Sequence, residues 1–385
     1  MRPDFAKSEE TLAAIPTSRR ILYVVLSATL GFLGFVASAE IFLRLLPVNE
    51  GLRTQAVNAT NPVYRFEPNR VSTWSRGWNF SITNEVRVNN DGFVNNEDYF
   101  TDGARPLLAV VGDSYIEAAM VPFKETIQGR LSKSIGQRGR VYSFAASGAG
   151  LTQYLVWAAY ARDKYKPDAF VFLHISNDLD ESLIHRGRSP GFHHFERLSD
   201  DRALVRRVDY EPTIIRRLAR HSALAMYLLT NVKIESVLKM NLQYLGANER
   251  RWAANIPYEA LGQEYDDYRW AVRSFLDALP EATGLPPERV VIAMDGVREA
   301  IYDASQKEQL AESVWGRMRL YMREQAQSRG FLVIDMHPVF ENLYIQDGRR
   351  FEFATDTHWN GHGHALLAEA IAQTDLFSRM FVGVK

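Results

Sequence analysis

Short apolar runs alternate with longer amphipathic stretches from residue 105 onward. Runs such as 107–111 and 170–175 are apolar on both faces, which is typical of strands buried in a parallel sheet. The longer stretches between them carry the apolar spacing of helices. Repeated strand–helix units predict an α/β domain over 105–385, a three-layer α/β/α sandwich around a mostly parallel five-stranded sheet. The predicted strands are 107–111, 140–144, 170–175, 290–294 and 331–335, and the predicted helices are 127–135, 152–165, 261–279, 306–329 and 362–373.

Residues 179–260 interrupt this alternation, and we expect a largely helical insertion there. The segment contains six closely spaced arginines, at 202, 206, 207, 216, 217 and 220. These arginines would form part of a lid, or a basic face toward anionic lipid or polysaccharide. Interleaved acids, such as Asp200 and Asp209, instead favour a solvated surface with local ion pairs.

The N-terminal apolar run, residues 21–39, contains no charged residue. As a helix it would be about 28 Å long, close to the thickness of a hydrocarbon core. Arg19 and Arg20 precede it, so the positive-inside rule predicts residues 1–20 as a cytoplasmic tail and 21–39 as a transmembrane signal anchor. The domain beyond it would then be periplasmic or otherwise extracytoplasmic. A signal peptide cleaved after Ala37-Ser38-Ala39, or a buried helix of a soluble protein, remains an alternative.

The region between the apolar run and the α/β domain, residues 48–104, is rich in Asn, Gly and aromatic residues. We expect loops and a few antiparallel strands that pack onto the main domain as an accessory region. Asn89-Asn90-Asp91-Gly92 is a strong turn signal.

Composition excludes several classes of function. The net charge is −1, so no overall positive field indicates a nucleic-acid partner. The chain has no cysteine, which excludes a thiol nucleophile, disulfides and a cysteine-ligated zinc site.

The chemistry-bearing residues begin with Gly112-Asp113-Ser114, directly after the first predicted strand. Open α/β sheets build their sites at the carboxyl ends of their strands. A serine nucleophile needs a general base, and that base needs a group to orient it. Far downstream, His358 and Asp356 provide an imidazole and a carboxylate two residues apart, so Ser114, His358 and Asp356 are the predicted catalytic residues.

Two further motifs lie between Ser114 and His358: Ser147-Gly148-Ala149-Gly150 after the second strand and Asn177-Asp178 after the third. With Ser114 and His358, in this order, they resemble the motifs of the SGNH (GDSL-type) hydrolase family over residues 105–375. The resemblance implies a flavodoxin-like sheet. It also implies an oxyanion hole formed by the backbone N–H groups of Ser114 and Gly148 and the side-chain amide of Asn177.

The chain departs from the family pattern at two positions. Ile175 stands where many members have a glycine, and Asp356 precedes His358 by two residues rather than three. The shorter spacing, followed by Trp359-Asn360, resembles the branch of bacterial surface-polysaccharide acetyl esterases and O-acetyltransferases. The assignment of Asp356 as the orienting acid depends on the resemblance to this branch, whereas the assignments of Ser114 and His358 follow from the family motifs as a whole.

The resemblance implies a membrane-anchored extracytoplasmic serine esterase that hydrolyses small acyl esters, such as acetyl groups on carbohydrate. It needs no cofactor. The same acyl-enzyme would serve an O-acetyltransferase acting on a surface polysaccharide, and a catalytically inactive binding module in polysaccharide assembly is a third alternative. The expected partners are the ester substrate, the membrane and polysaccharide-assembly proteins.

The sequence disfavours two other kinds of site. A metal cluster would use four residues within nine positions, namely Asp356, His358, His362 and His364. Gly361 and Gly363 oppose the helix that would stack these histidines, and no H-E-x-x-H motif accompanies them, so no metal is expected. A lipase-type site requires G-x-S-x-G, but Ile116 occupies the position of the second glycine.

Overall fold

The central sheet has five strands in the order β11-β10-β5-β3-β4, and all four pairings between them are parallel. The computed structural model describes residues 16–103, 105–234, 252–253, 256–257 and 262–382. If these five strands are numbered 1 to 5 in chain order, the order across the sheet, starting at the β4 edge, is 2-1-3-4-5. This is the flavodoxin-like order. The predicted α/β architecture is therefore confirmed.

The strands are β1 (Arg70–Arg76), β2 (Ile82–Val88), β3 (Leu107–Gly112), β4 (Arg140–Ala145), β5 (Ala169–His174), β6 (His193–Arg197), β7 (Ala203–Arg207), β8 (Trp252–Ala253), β9 (Ile256–Pro257), β10 (Val290–Met294), β11 (Leu332–Asp335), β12 (Glu352–Phe353) and β13 (Asp356–Trp359). The helices are α1 (Thr17–Leu43), α2 (Ser114–Glu117), α3 (Ile127–Ile135), α4 (Leu151–Tyr165), α5 (Asp178–Glu181), α6 (Ile214–Ala219), α7 (Ala223–Met226), α8 (Gly262–Thr283), α9 (Arg298–Tyr302), α10 (Lys307–Ala311), α11 (Val314–Ser328), α12 (Met336–Asp347), α13 (Gly361–Ala372) and α14 (Asp375–Phe377).

Two layers of helices bury the two faces of the sheet. Along β3, Ala109 and Val111 point into a core formed with α4, α8 and α11. Leu108 and Val110 point the other way, toward α3, α12 and α13. Both faces are buried, which is why β3 reads as a continuous apolar run rather than as an alternating one.

Local capping residues set the ends of α3 where the sequence predicts them. The hydroxyl of Thr126 accepts a hydrogen bond from the Gly129 N–H at 3.1 Å, and this satisfies one of the free donors of the first turn. Gly136 ends the helix with φ +58°, a conformation that glycine adopts without strain.

The accessory region contributes an antiparallel hairpin, β1 and β2, that lies against the loop following Ser114. The side-chain amide of Asn84 donates to the carbonyls of Ala119 (2.9 Å) and Val121 (3.0 Å). The predicted turn at 89–92 is present, and Gly92 there has φ +90°. The two hydrogen bonds of Asn84 hold the hairpin near the carboxyl ends of the central strands.

The predicted helix over 306–329 is interrupted. Helix α10 ends at Ala311 and α11 begins after Ser313, whose hydroxyl accepts from the Gly316 N–H at 3.1 Å. A serine that caps a new helix competes with continuation of the preceding one, and the sequence prediction overlooked this signal.

The insertion is not largely helical where it is described. Between residues 179 and 234, β6 and β7 form an antiparallel hairpin, and α6 and α7 are short. Ser199, Asp200 and Asp201 supply the turn, so the expected helix is wrong there. Residues 235–251, 254–255 and 258–260 of the predicted insertion lie outside the described residues.

Helix α1 extends the predicted apolar run by several residues at each end. In the described part of the chain it is the one helix long and apolar enough to cross a membrane, and the apolar window is not buried against other residues. The predicted tail lies outside the described residues up to residue 15.

Replacing Gly316 by alanine is expected to destabilise the fold. A Cβ atom there would lie 2.4 Å from the carbonyl oxygen of Leu310 and 2.5 Å from that of Ala311, so the backbone must shift. We expect a Tm lower by about 2 to 6 °C, from an overpacking cost of about 1 to 3 kcal/mol.

Thermal unfolding of the full chain in detergent measures this effect. The matched control is Gly187→Ala, because nothing lies within 4 Å of a Cβ atom at Gly187. Equal Tm values for the two variants would contradict the close contact at Gly316.

Candidate active site

Ser114 lies in the sharp turn between β3 and α2, at the point where the order of the sheet reverses. Asp113 caps α2, since its carboxylate accepts from the Tyr115 N–H at 2.9 Å. Gly112 is required for close approach: a Cβ atom there would lie 2.4 Å from Cγ1 of Ile116. Ligands of open α/β sheets bind at this reversal point, which here lies between β3 and β5.

A continuous chain of hydrogen bonds joins the three predicted catalytic residues. Nε2 of His358 lies 2.8 Å from Oγ of Ser114, and Nδ1 of the same ring lies 2.5 Å from a carboxylate oxygen of Asp356. The same carboxylate also accepts from the His358 N–H at 3.0 Å. The spacing of two residues, unusual for the family, therefore still lets Asp356 reach the imidazole. Their catalytic roles stay a prediction.

Arg76, from the end of strand β1, reaches the other oxygen of the Asp356 carboxylate. Its Nη1 atom lies 2.5 Å from Oδ2. The contact is an ion pair rather than a hydrogen bond. Burial acts to raise the pKa of Asp356, but the hydrogen bond and charge of His358, with a further contribution from Arg76, hold it below its ordinary value. The accessory hairpin thus takes part in the electrostatics of the site.

A buried ion pair between Asp295 and Arg298 holds both neighbours of His358. Asp295 accepts from the indole N–H of Trp359 at 3.1 Å. Arg298 donates to the hydroxyl of Tyr115 at 2.8 Å, and that hydroxyl donates to the carbonyl of Thr357 at 2.9 Å. The short strand β13 is thereby fixed on each side of the imidazole. Trp359 is fully buried and packs in the core, so it does not form a wall of the site.

The three loops of the predicted oxyanion hole converge, but the amide of Asn177 is engaged elsewhere. Its Nδ2 atom donates to Glu181 at 3.0 Å and to Asp113 at 3.3 Å. Gly148 has φ +85°, and a Cβ atom there would lie 4.0 Å from Glu181. The amide must turn away from these carboxyls to meet an oxyanion, and the hole stays a prediction.

Four carboxyl groups surround this part of the site: Asp113, Glu117, Asp178 and Glu181. Burial, and then the charge of Asp178, raises the pKa of Asp113, and burial raises the pKa of Asp178 and of Glu181 well above the usual range. Burial raises the pKa of Glu117 to about 7. Glu117 accepts from the N–H (2.8 Å) and the hydroxyl (3.0 Å) of Ser147, so it holds the loop that carries Gly148.

Among the described residues, His362 and His364 do not join Asp356 and His358 in a group of potential metal ligands. His364 is buried within α13, where burial lowers its pKa to about 3. His362 stacks on Phe351, with the ring centres 5.3 Å apart.

The sequence prediction missed four residues of the site: Arg76, Glu181, Asp295 and Arg298. Asp295 and Arg298 did carry a signal, because they follow the fourth strand of the sheet at the same edge as Ser114 and Asn177. Arg76 carried none, since 280 positions of sequence (356 − 76) separate it from Asp356.

Comparison with known proteins adds fold neighbours of low similarity. No family model matches the chain, and no characterised protein matches it by sequence. Among solved structures, an alpha/beta hydrolase enzyme (LAE5) from the metagenome of Lake Arreo matches 70% of this chain and 95% of its own, with 14% identity and a TM-score of 0.36. A lipolytic G-D-S-L family member from Veillonella parvula matches 70% and 97%, with 11% identity and a TM-score of 0.35.

A catalytic mutant of an acetylxylan esterase from Geobacillus stearothermophilus matches 74% of this chain and 98% of its own, with 12% identity and a TM-score of 0.37. At this similarity, conclusions about chemistry rest on the residues of this chain.

Replacing Arg76 by glutamine is expected to shift the acid limb of the kcat/KM profile for a chromogenic acetate ester to higher pH. Without the guanidinium, Asp356 binds a proton more readily. The shift should be about 0.5 pH unit, the size expected for an ion pair of roughly 0.7 kcal/mol whose arginine is partly exposed to solvent. Arg76→Lys restores the charge and should restore the profile.

The control is Arg87→Gln, on the second strand of the same hairpin, where the arginine pairs with Asp98 at 2.6 Å. Coincident profiles for the Arg76→Gln and Arg87→Gln variants would show that Arg76 does not influence the reacting groups.

Proposed function

We propose that this protein is a membrane-anchored serine esterase that hydrolyses small acyl esters, such as acetyl groups on carbohydrate, outside the cytoplasm. The observation that carries the proposal is the imidazole of His358, which bridges Ser114 and Asp356 at 2.8 and 2.5 Å. A nucleophile, a base and an orienting acid within hydrogen-bond distance are what acyl transfer requires.

In this mechanism His358 removes the proton of the Ser114 hydroxyl as its oxygen attacks the ester carbonyl. Asp356 holds the Nδ1–H tautomer and stabilises the imidazolium that forms. The tetrahedral intermediate collapses to an acyl-serine when His358 returns the proton to the leaving alcohol. Water, activated by the same imidazole, then releases the acid and regenerates the serine.

Membrane anchorage is supported by α1, and the extracytoplasmic position by Arg19 and Arg20 before its apolar run. The acetyl–carbohydrate substrate is supported by the resemblance of the Asp356-Thr357-His358 spacing to polysaccharide-acetylation proteins. The acetylxylan esterase among the fold neighbours agrees with this substrate class.

Ser114→Ala should abolish turnover of p-nitrophenyl acetate by the full chain in detergent. Removal of a serine nucleophile from such a triad lowers kcat by roughly 10⁴-fold or more. The matched control is Ser328→Ala, at an exposed position on α11. Turnover that survives in the Ser114 variant would exclude Ser114 as the nucleophile.

The same preparation separates hydrolysis from transfer. An acetylated oligosaccharide that releases acetate in water supports an esterase, whereas a hydroxyl acceptor that gains the acetyl group without free acetate indicates a transferase.

Asn177→Ala is expected to lower kcat for p-nitrophenyl acetate by about 10²- to 10³-fold, with little change in KM. An oxyanion donor acts in the transition state rather than in substrate binding. The control, Asn96→Ala, changes an exposed asparagine of the accessory region. If the variant instead has a raised KM and an unchanged kcat, Asn177 contributes to substrate binding rather than to the oxyanion hole.

A further inference from the structure

The carboxyl-terminal end of α1 is attached to the insertion by a set of hydrogen bonds. The carboxylate of Glu40 accepts from the hydroxyl of Ser222 (2.8 Å) and from the N–H groups of Ala223 (3.0 Å) and Leu224 (2.9 Å), so it caps helix α7. Arg44 donates to the carbonyl of His221 at 2.8 Å. These bonds fix residues 221–224 at the point where the apolar helix ends.

Helix α6 leads directly into this attachment and presents an exposed apolar face. Ile214 and Leu218 are one turn apart, and Ile215 lies beside them three positions before Leu218. Ile215 is 80% exposed and Leu218 is 66% exposed. An amphipathic helix with its apolar side in water is typical of a segment that lies in a membrane interface.

An exposed tryptophan on the accessory hairpin belongs to the same end of the molecule. Trp78 is 72% exposed, and its carbonyl accepts from the hydroxyl of Tyr227 at 2.8 Å. Tyr227 begins the π-helical segment Tyr227–Asn231, which directly continues α7. Tryptophan is enriched at the boundary between hydrocarbon and headgroups. Leu45, just past the end of α1, is 80% exposed.

Arginines flank the apolar face. Arg216 and Arg217 are exposed, and none of the ion pairs between described residues includes either of them. Arg220 lines a cleft of about 460 Å³ together with Arg44 and Arg53. Burial and the charge of Arg216 lower the pKa of Arg220.

Acidic groups offset this charge in part. Glu40 pairs with Arg44 at 2.7 Å, Glu67 lies 3.7 Å from Arg53, and Glu50 also lines the cleft. The excess positive charge therefore lies at Arg216, Arg217 and Arg220, beside the apolar face of α6.

We propose that this surface, formed by α6, Trp78 and Leu45, docks onto the anionic phospholipid bilayer that α1 spans. The inference rests on the membrane anchorage of the proposed function. Ile214, Ile215 and Leu218 enter the headgroup boundary, and the arginines pair with lipid phosphates. Continuity with the end of α1 and the excess positive charge identify anionic lipid as the partner.

The absence of cysteine allows a single spin label to test the docking. Ile215→Cys is labelled in the full chain, and the protein is reconstituted into nanodiscs of phosphatidylcholine with phosphatidylglycerol. We expect the label to be accessible to oxygen and protected from an aqueous nickel complex. Ile345→Cys, at an isoleucine that is 76% exposed on α12, is the matched control and should be fully accessible to nickel. Equal nickel accessibility at the two positions would overturn the docking.

A second variant tests the lipid charge. Each arginine near an anionic surface changes the docking equilibrium by about fivefold, so Arg216→Gln with Arg217→Gln should weaken docking by about 25-fold. Nickel accessibility at position 215 should rise accordingly. Protection that is the same with and without these arginines, or the same in discs of phosphatidylcholine alone, would overturn anionic lipid as the partner. Protection that is found only in native membranes would indicate a protein instead.

Two controls separate this inference from the proposed function. Retention of the chain by the discs reports insertion of α1, and turnover of p-nitrophenyl acetate reports the site at Ser114. A chain that the discs do not retain contradicts the anchorage. A retained and active chain with an exposed label at position 215 contradicts the docking alone.

Discussion

The buried ion pair between Asp295 and Arg298 is the interaction on which the geometry of the site depends. Charges leave water at a cost of several kcal/mol each, so such a pair persists only where further hydrogen bonds satisfy it. Here the further partners are Trp359, which directly follows His358, and Tyr115, whose hydroxyl binds the carbonyl of Thr357, directly before it. The hydrogen bonds that satisfy the buried ion pair therefore also hold the imidazole of His358 in place.

Much of the sheet was predictable because its signals are local. Apolar runs such as 107–111 mark buried strands, and Thr126 and Gly136 mark the ends of a helix within a few residues. The same local reasoning found Ser114 and Asn177, since both follow strands. It fails at residues 306–329, where Ser313 caps a new helix inside the single predicted helix, and at residues 193–207, where a hairpin lies within the insertion predicted to be largely helical.

The contacts that tune the site could not be predicted in the same way, because they depend on tertiary packing. Arg76 is indistinguishable in sequence from other arginines of a surface strand, and only the position of the hairpin brings it to Asp356. Glu181 lies one turn after Asn177 on α5, and nothing in that spacing indicates that its carboxyl accepts from the amide. Such pairings follow from the assembled fold rather than from any window of the chain.

The turn of the accessory hairpin connects the active site to the surface proposed to contact the bilayer. Arg76 touches the acid that orients His358, and Trp78, two residues later, faces outward beside the end of α1. Two residues of extended chain span at most about 7 Å. From Arg76, an ion pair to Asp356 and two hydrogen bonds through His358 lead on to Ser114. With Trp78 at the headgroups, the reactive serine would therefore operate on the side of the domain that faces the bilayer. Esters carried on a long polymer would have to be brought down to that side, whereas esters still tethered to the membrane would already be within reach.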